Sequence, residues 1–142
     1  MRRLKNLGAE RGDLISVYQK QIRCLLEYAV AVWHPSLTSE DRIRIERVQK
    51  SALCIILGQD YTSYKSALKE LQLESLHSRR IKLCKKFAIK AQKHPKFSKW
   101  FKPQNKTSVT RGKPPKFLEV YYRTERFRKS PLSYLTNLLN SE

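Results

Sequence analysis

Two stretches with apolar residues at helical spacing dominate the first half of the chain. In the first stretch, apolar residues recur every three or four positions, which places them on one face of a helix: Leu14, Tyr18, Ile22, Leu25, Ala29 and Trp33. The second stretch carries its stripe at Ile45, Val48, Ala52, Ile55 and Ile56. Two such helices joined by a short loop pack antiparallel. We therefore predict a helical hairpin between Asp13 and Gly58, with Leu25 and Ile56 buried where its arms meet.

The residues between the two stretches predict where each helix ends. Pro35 disfavours helical dihedral angles at His34, so the first arm should end there. Thr38 can cap the second helix, and Asp41 stands where the reciprocal residue of a capping box belongs. Gly58 is a natural C-terminal stop for the same helix.

Three further helices follow from capping residues and apolar spacing. Ser63 can begin a short helix that carries Tyr64, Ala67, Leu68 and Leu71. Ser75 can begin a longer helix from Leu76 to about Lys93, which Pro95 ends. Its apolar face is predicted to contain Leu76, Leu83, Cys84, Phe87 and Ala91. Ser130 and Pro131 form an N-cap and a first helical position, and the closing helix has an apolar edge at Leu132, Leu135, Leu138 and Leu139.

The stretch between the last two of these helices has no clear helical pattern. Residues 102–116 contain Pro, Gly, Asn and Thr, which indicates a loop. Residues 117–127 interleave aromatic residues with arginines, and either a strand or hairpin or an extended arm fits them. We therefore predict an all-α fold, a single domain overall, with a helical region at 1–95, a basic loop and arm at 96–129, and a C-terminal helix at 130–142.

The charge of the chain is high and unevenly distributed. The net charge is +18, and residues 79–129 hold 18 Lys and Arg against two acidic residues. The remaining residues hold 12 cations and 10 acids. Such asymmetry indicates a polyanionic partner, most often nucleic acid. The alternative is a charged segment that only confers solubility.

Two groups of residues are the candidate nucleic-acid contacts. The first is a stripe on the helix after Ser75 that faces no predicted acid: Arg79, Lys82, Lys86, Lys90 and Lys93. The second combines cations with aromatic rings that can stack on bases: Arg111, Lys113, Lys116, Tyr121, Tyr122, Arg123, Arg126, Arg128 and Lys129. In an extended arm only one of the two tyrosines can face the core. Arg80 interrupts the apolar face, and we expect its stem to pack on the core with its guanidinium reaching Glu70, Glu74 or solvent.

Other kinds of site find little support in the sequence. Cys24, Cys54 and Cys84 have no short spacing with each other or with the three histidines, so neither a zinc site nor a disulfide framework is predicted. No cofactor motif is present. No apolar run is long enough to span a membrane, and the N-terminus lacks the apolar core of a signal peptide. We expect an intracellular protein, nuclear or cytoplasmic, with the nucleus slightly favoured.

Three segments together resemble a known family: IRCLLEYAVAVWHPSLTSEDRIRIERVQKSALCIILG, LQLESLHSRRIKLCKKFAIK and RTERFRKSPLSYLTNLLNSE. They are similar to the region that follows the catalytic palm in reverse transcriptases of non-LTR retrotransposons of the jockey-like type. The resemblance implies a thumb-like helical region that holds the template–primer duplex. It also implies that the chain is a truncated element or a gene model that begins at an internal methionine.

The residues that such a polymerase needs for catalysis are missing from this sequence. The family's palm carries an adjacent pair of aspartates, which hold two metal ions at the primer terminus. Asp13, Asp41 and Asp60 lie far apart, and the one adjacent acid pair, Glu40 and Asp41, is explained by capping. We therefore expect a nucleic-acid-binding fragment without enzymatic activity of its own. The alternatives are a freestanding basic module that binds RNA or DNA, and a helical module that docks on a protein, which an exposed apolar strip on the hairpin would favour.

Overall fold

A computed structural model of the chain describes residues 1–104 and 116–141. All regular structure in these ranges is helical, and the one β-type contact found there is an isolated antiparallel bridge between Pro103 and Phe117. The predicted all-α class is therefore confirmed. The candidate cations Arg111 and Lys113 lie outside the described residues.

The chain divides into two compact units, and each unit is discontinuous in sequence. The first contains residues 1–29 and 37–80, and the second contains residues 30–36 and 81–142. The predicted boundaries at 95 and 129 do not coincide with these. The predicted region 1–95 contributes to both units, because the segment 30–36 belongs to the second unit and the division at 80/81 falls inside a helix.

The first unit is built around a long capped helix, α5 (Ser39–Leu57). The capping box is present, since the backbone N–H of Asp41 donates to Thr38 Oγ1 at 3.1 Å and that of Thr38 to Asp41 Oδ2 at 3.3 Å. Gly58 follows the helix with φ of 63°, a conformation that glycine adopts without strain. The other helices of this unit are α1 (Arg2–Asn6), α2 (Arg11–Val17), α3 (Cys24–Glu27), α6 (Tyr64–Glu70), whose N-cap is Ser63, and the first turn of α7 (Leu76–Lys93).

The beginning of the predicted hairpin packs as expected. Leu14 and Tyr18, near the start of the first arm, are buried in one cluster with Leu53, Ile56 and Leu57 near the end of α5. Contact between the start of one arm and the end of the other is what an antiparallel hairpin requires.

The rest of the first arm differs from the prediction. The chain widens into a π-helical segment at Tyr18–Arg23, which places an extra residue in the turn and rotates the residues that follow. Leu25 is consequently 74% exposed, so the prediction that it is buried between the arms was wrong. The arm then breaks at Ala29, whose φ is 47°. After the break, α4 (Val30–Trp33) belongs to the second unit.

Burial changes the acidity of Tyr18 in the first core. The side chain is fully buried, and its hydroxyl has no hydrogen-bond partner among the residues that the structure describes. Because burial disfavours the phenolate, it raises the pKa of Tyr18 from the ordinary 10 to about 12.

We expect this shift to make stability fall in alkali. The folded protein holds the proton more tightly than the unfolded chain, so the stabilisation is complete below pH 10 and is lost as the pH rises from 10 to about 12. The loss should approach 2–3 kcal/mol on an order-of-magnitude basis. Tyr18→Phe should remove this part of the pH dependence and leave stability near pH 7 nearly unchanged. Urea unfolding of the parent and of Tyr18→Phe at a series of pH values measures both effects. A Tyr18→Phe variant that is strongly destabilised at pH 7 would contradict this expectation.

The second unit forms its core from five separate parts of the chain. The buried cluster combines Val30 and Ala31 of α4, Cys84, Ala88 and Ala91 of α7, Phe101 and Phe117, and Leu135 and Leu139 of the closing helix α9 (Pro131–Asn140). As predicted, Ser130 caps α9 and Pro131 occupies its first turn. A short helix, α8 (Glu125–Arg128), precedes it.

Candidate nucleic-acid interface

Four lysines of α7 form an exposed row in the second unit. Lys82, Lys86, Lys90 and Lys93 are all exposed, and helical geometry places them within about 80° of one another around the helix axis. The buried side of α7 faces away from them: Cys84, Ala88 and Ala91 point into the core. We refer to these four residues as the lysine row.

The buried side of α7 is rotated relative to the prediction. Phe87, which the pattern placed in the core, is 38% exposed, while Ala88 is completely buried. A small residue at position 88 allows close approach of the neighbouring elements, which apolar spacing alone does not reveal. The rotation moves the core-facing side further from the lysine row, so the row lies nearly opposite the core.

Arg79, the fifth residue of the predicted basic stripe, differs from the four lysines because it is paired with an acid. Its guanidinium donates through Nε and Nη2 to the carboxylate of Glu27, with a distance of 2.9 Å from Nη2 to Oε2. This hydrogen bond raises the pKa of Arg79 further. The prediction that Arg79 faces no acid was therefore wrong. Because Glu27 and Arg79 are far apart in sequence, only the fold could show that they meet.

Arg80 is placed differently from the prediction as well. Its side chain is fully buried, and Nη2 lies 3.8 Å from Glu46 Oε1. The predicted alternative of a guanidinium reaching solvent is wrong, because the side chain has no exposed surface, and Glu70 pairs with Arg11 at 3.0 Å. A buried arginine requires a nearby acid, and Glu46 of α5 is one such acid.

The polar network that holds the beginning of α7 was not predicted from the sequence. Gln49, completely buried on α5, accepts from the backbone N–H of Leu76 at 2.9 Å and donates to the carbonyl of Glu74 at 2.9 Å. Glu46 accepts from the backbone N–H of His77 at 2.5 Å. Together they satisfy free N–H groups of the first turn of α7. One signal was available, since Gln49 lies next to Ile56 at the edge of the apolar stripe of α5 and a buried amide has to be hydrogen-bonded.

Tyr64 completes this network from α6. Its hydroxyl lies 2.6 Å from Glu46 Oε2 and 2.8 Å from Gln49 Oε1, and its proton is shared between them. Burial and the adjacent carboxylate of Glu46 both raise the pKa of Tyr64, so the hydroxyl remains a donor. The network therefore fixes α5, α6 and the start of α7 together within the first unit.

The basic arm is anchored in the second unit at its beginning. The side chain of Asn140 accepts from the backbone N–H of Phe117 at 2.9 Å and donates to its carbonyl at 3.0 Å, as a neighbouring strand would. Phe117 is buried against Phe101, with ring centroids 5.9 Å apart. Of the two open predictions, an extended arm describes residues 118–122 better than a strand or hairpin, since no regular strand is found in the part of the chain that the structure describes.

Beyond Phe117 the arm presents its candidate residues to solvent. Tyr121 is 83% exposed and Tyr122 is 45% exposed, so neither ring packs in the core. The exposed cations of the arm are Lys116, Arg123, Arg126, Arg128 and Lys129. Arg128 pairs with Glu125 at 2.6 Å. Both the arm and the lysine row belong to the second unit.

Residues 1–104 and 116–141 contain neither a cluster of metal-ligating side chains nor a membrane-spanning helix. No cluster of three or more His, Cys, Asp or Glu side chains in these ranges could hold a metal ion. None of the helices described is long and apolar enough to cross a membrane. The three cysteines are free thiols.

Comparison of the chain with protein-family models, with curated proteins and with solved structures gave no match. A functional assignment therefore has to come from the residues of this chain.

Proposed function

We propose that the chain binds nucleic acid through its second unit, with the lysine row as the main contact to phosphates. The observation that carries the proposal is the combination of an exposed row of four lysines with a strongly unbalanced charge. The second unit holds 16 Lys and Arg against three acidic residues, whereas the first holds 14 against nine. Lysine side chains neutralise phosphates and release counterions, which supplies most of non-specific affinity.

The length of the lysine row suits a duplex. From Lys82 to Lys93 the helix rises roughly 16 Å, at about 1.5 Å per residue. Double-stranded DNA carries one phosphate per about 1.7 Å of its axis, so several phosphates lie within reach of the row. Because the row lies on a single helix that is held by the core of the second unit, its ammonium groups are arranged before binding.

The arm adds a different kind of contact. Its exposed tyrosines can stack on unpaired bases, and its cations can follow a backbone. This combination favours a nucleic acid that has both paired and unpaired segments, as a template–primer does. The resemblance to the post-palm region of non-LTR reverse transcriptases supports the same substrate. We infer a nuclear or cytoplasmic role of the thumb-like kind, without catalysis by this chain.

We expect no polymerisation by the purified chain. Its three aspartates are too far apart in sequence to reproduce the adjacent metal-binding pair, and Asp41 is engaged in capping α5. With template–primer, Mg²⁺ and nucleotides, the length of the primer should not change, as measured on a denaturing gel. Extension above a control without protein would contradict the inferred absence of catalysis.

Direct titration tests the binding proposal. Fluorescence anisotropy of a labelled template–primer should show saturable binding that weakens steeply as salt increases. An uncharged polymer of similar size serves as the control for non-specific capture. Absence of binding at low salt, or binding that salt does not affect, would overturn the proposal.

One observation favours a second candidate function, docking on a protein. Leu25 and Tyr28 are 74% and 78% exposed, respectively, and they stand three residues apart at the end of the first arm. Such a pair is the beginning of an apolar strip on the hairpin. We rank this candidate second, because two side chains make a small patch and single exposed apolar residues are common on proteins.

A further inference from the structure

The first unit contains an open pocket that the proposed contacts of the second unit do not use. Its volume is about 370 Å³, within the range of sites for small molecules. One wall is formed by α5, which contributes Arg42, Ile43, Arg47 and Lys50. Tyr64 of α6 and His77 of α7 also line the pocket.

The walls of this pocket combine apolar and cationic surface. Ile43 is 53% exposed although it is apolar, and Tyr64 and His77 line the pocket with it. Arg42, Arg47 and Lys50 are exposed at its edge. A ligand that fits both parts needs an apolar body and a negative charge.

The acids near the pocket are already engaged. Glu46 is the one acidic residue among the lining side chains, and it accepts from Tyr64 and from the backbone of His77 and lies beside Arg80. Earlier on α5, Glu40 pairs with Arg44 at 2.6 Å and Asp41 caps the helix. The three edge cations are therefore not neutralised by the carboxylates of their own helix.

We propose that this pocket binds a nucleoside phosphate, with the base against Ile43 and Tyr64 and the phosphate between Arg47 and Lys50. The ligand is either a free mononucleotide or an unpaired nucleotide within a strand. The second source rests on the proposed nucleic-acid binding, while the first does not. Hydrogen bonds from Tyr64 to Glu46 and Gln49 connect the α5 and α6 parts of the pocket lining before binding.

Calorimetric titration of the full chain tests the pocket by itself. Adenosine 5′-monophosphate should bind more tightly than adenosine or inorganic phosphate, each of which offers one half of the ligand. Arg47→Gln with Lys50→Gln should weaken this binding roughly tenfold, since the phosphate loses both charged partners. Ile43→Ser should weaken it roughly threefold through loss of apolar contact. Lys65→Gln with Lys69→Gln, which removes two exposed cations elsewhere in the first unit, is the matched control and should have no effect.

A second titration identifies the source of the nucleotide. A labelled single-stranded oligonucleotide and its duplex are each titrated with the parent, with the Arg47/Lys50 variant and with the Lys65/Lys69 control. A larger loss on the single strand than on the duplex supports an unpaired nucleotide of a strand. A loss of mononucleotide binding, with no loss on either oligonucleotide beyond that of the Lys65/Lys69 control, supports a free nucleotide.

The pocket proposal is overturned if the Arg47/Lys50 variant and the Lys65/Lys69 control behave alike with every ligand. Its failure can be distinguished from failure of the proposed function. Replacing the lysine row by glutamine should abolish most duplex binding and leave mononucleotide binding intact. Retained duplex binding in that variant counts against the lysine row and not against the pocket.

Discussion

Replacing Lys82, Lys86, Lys90 and Lys93 by glutamine should make duplex binding less sensitive to salt. The slope of log K against log salt concentration should become less negative by about 3.6, at roughly 0.9 per phosphate contact. The parent should lose affinity by about 150-fold more than the variant when salt rises about fourfold. The reason is that each lysine displaces condensed counterions when it reaches a phosphate, and glutamine displaces none. The fold should not change, because all four side chains are exposed and lie away from the buried side of α7.

The arm provides the matched control for this experiment. Lys116, Arg123, Arg126 and Lys129 are also exposed, and changing them to glutamine removes the same charge from the same unit. If only the arm variant shows a weaker salt dependence of duplex binding, the arm is the binding element and the lysine row is a solvated face. Circular dichroism of both variants confirms that the helices are intact.

The second large effect concerns the first core. Ile56 is 3% exposed and packs in the cluster that contains Leu14 and Tyr18, so Ile56→Ala should cost about 2–5 kcal/mol of unfolding free energy. Leu25→Ala should change stability by no more than about 0.5 kcal/mol, because that side chain is 74% exposed. Urea unfolding followed by circular dichroism measures both variants.

The pair of substitutions tests the rotation of the first arm. If the first arm were an uninterrupted α-helix, Leu25 would be buried as Ile56 is, and both substitutions would lower the unfolding free energy strongly. A loss above about 2 kcal/mol for Leu25→Ala would show that the π-helical segment does not form as described. An Ile56→Ala variant as stable as the parent would contradict the packing of α2 on α5.

Local chemistry was enough to predict most helix boundaries. Thr38 with Asp41, Ser63, and Ser130 with Pro131 each mark a helix start that the structure confirms. These predictions succeed because capping depends on residues within one turn. The ends of α5 and α7 follow from Gly58 and Pro95 for the same reason.

The errors arose where a distant part of the chain determines the outcome. A constant period of 3.6 residues assigned Leu25 to the core, and the π-helical segment that displaces it has no simple sequence signal. The pairing of Arg79 with Glu27 and the burial of Arg80 beside Glu46 join residues that are far apart in sequence. The lysine row itself was predicted from helical spacing, whereas the pocket on the first unit requires three helices to be placed together.

The path of the chain between its two units limits how either could be transferred to another protein. Residues 30–36 leave the first unit, contribute the buried Val30, Ala31, His34 and Pro35 to the second, and return. A graft of residues 81–142 alone would lack that part of its core, and residues 1–80 alone would carry it without a partner. The lysine row is therefore not expected to keep its structure when residues 81–142 are transferred alone to another protein. A break in the chain between residues 30 and 80 would be expected to disrupt both units, because each unit contains residues from both sides of the break.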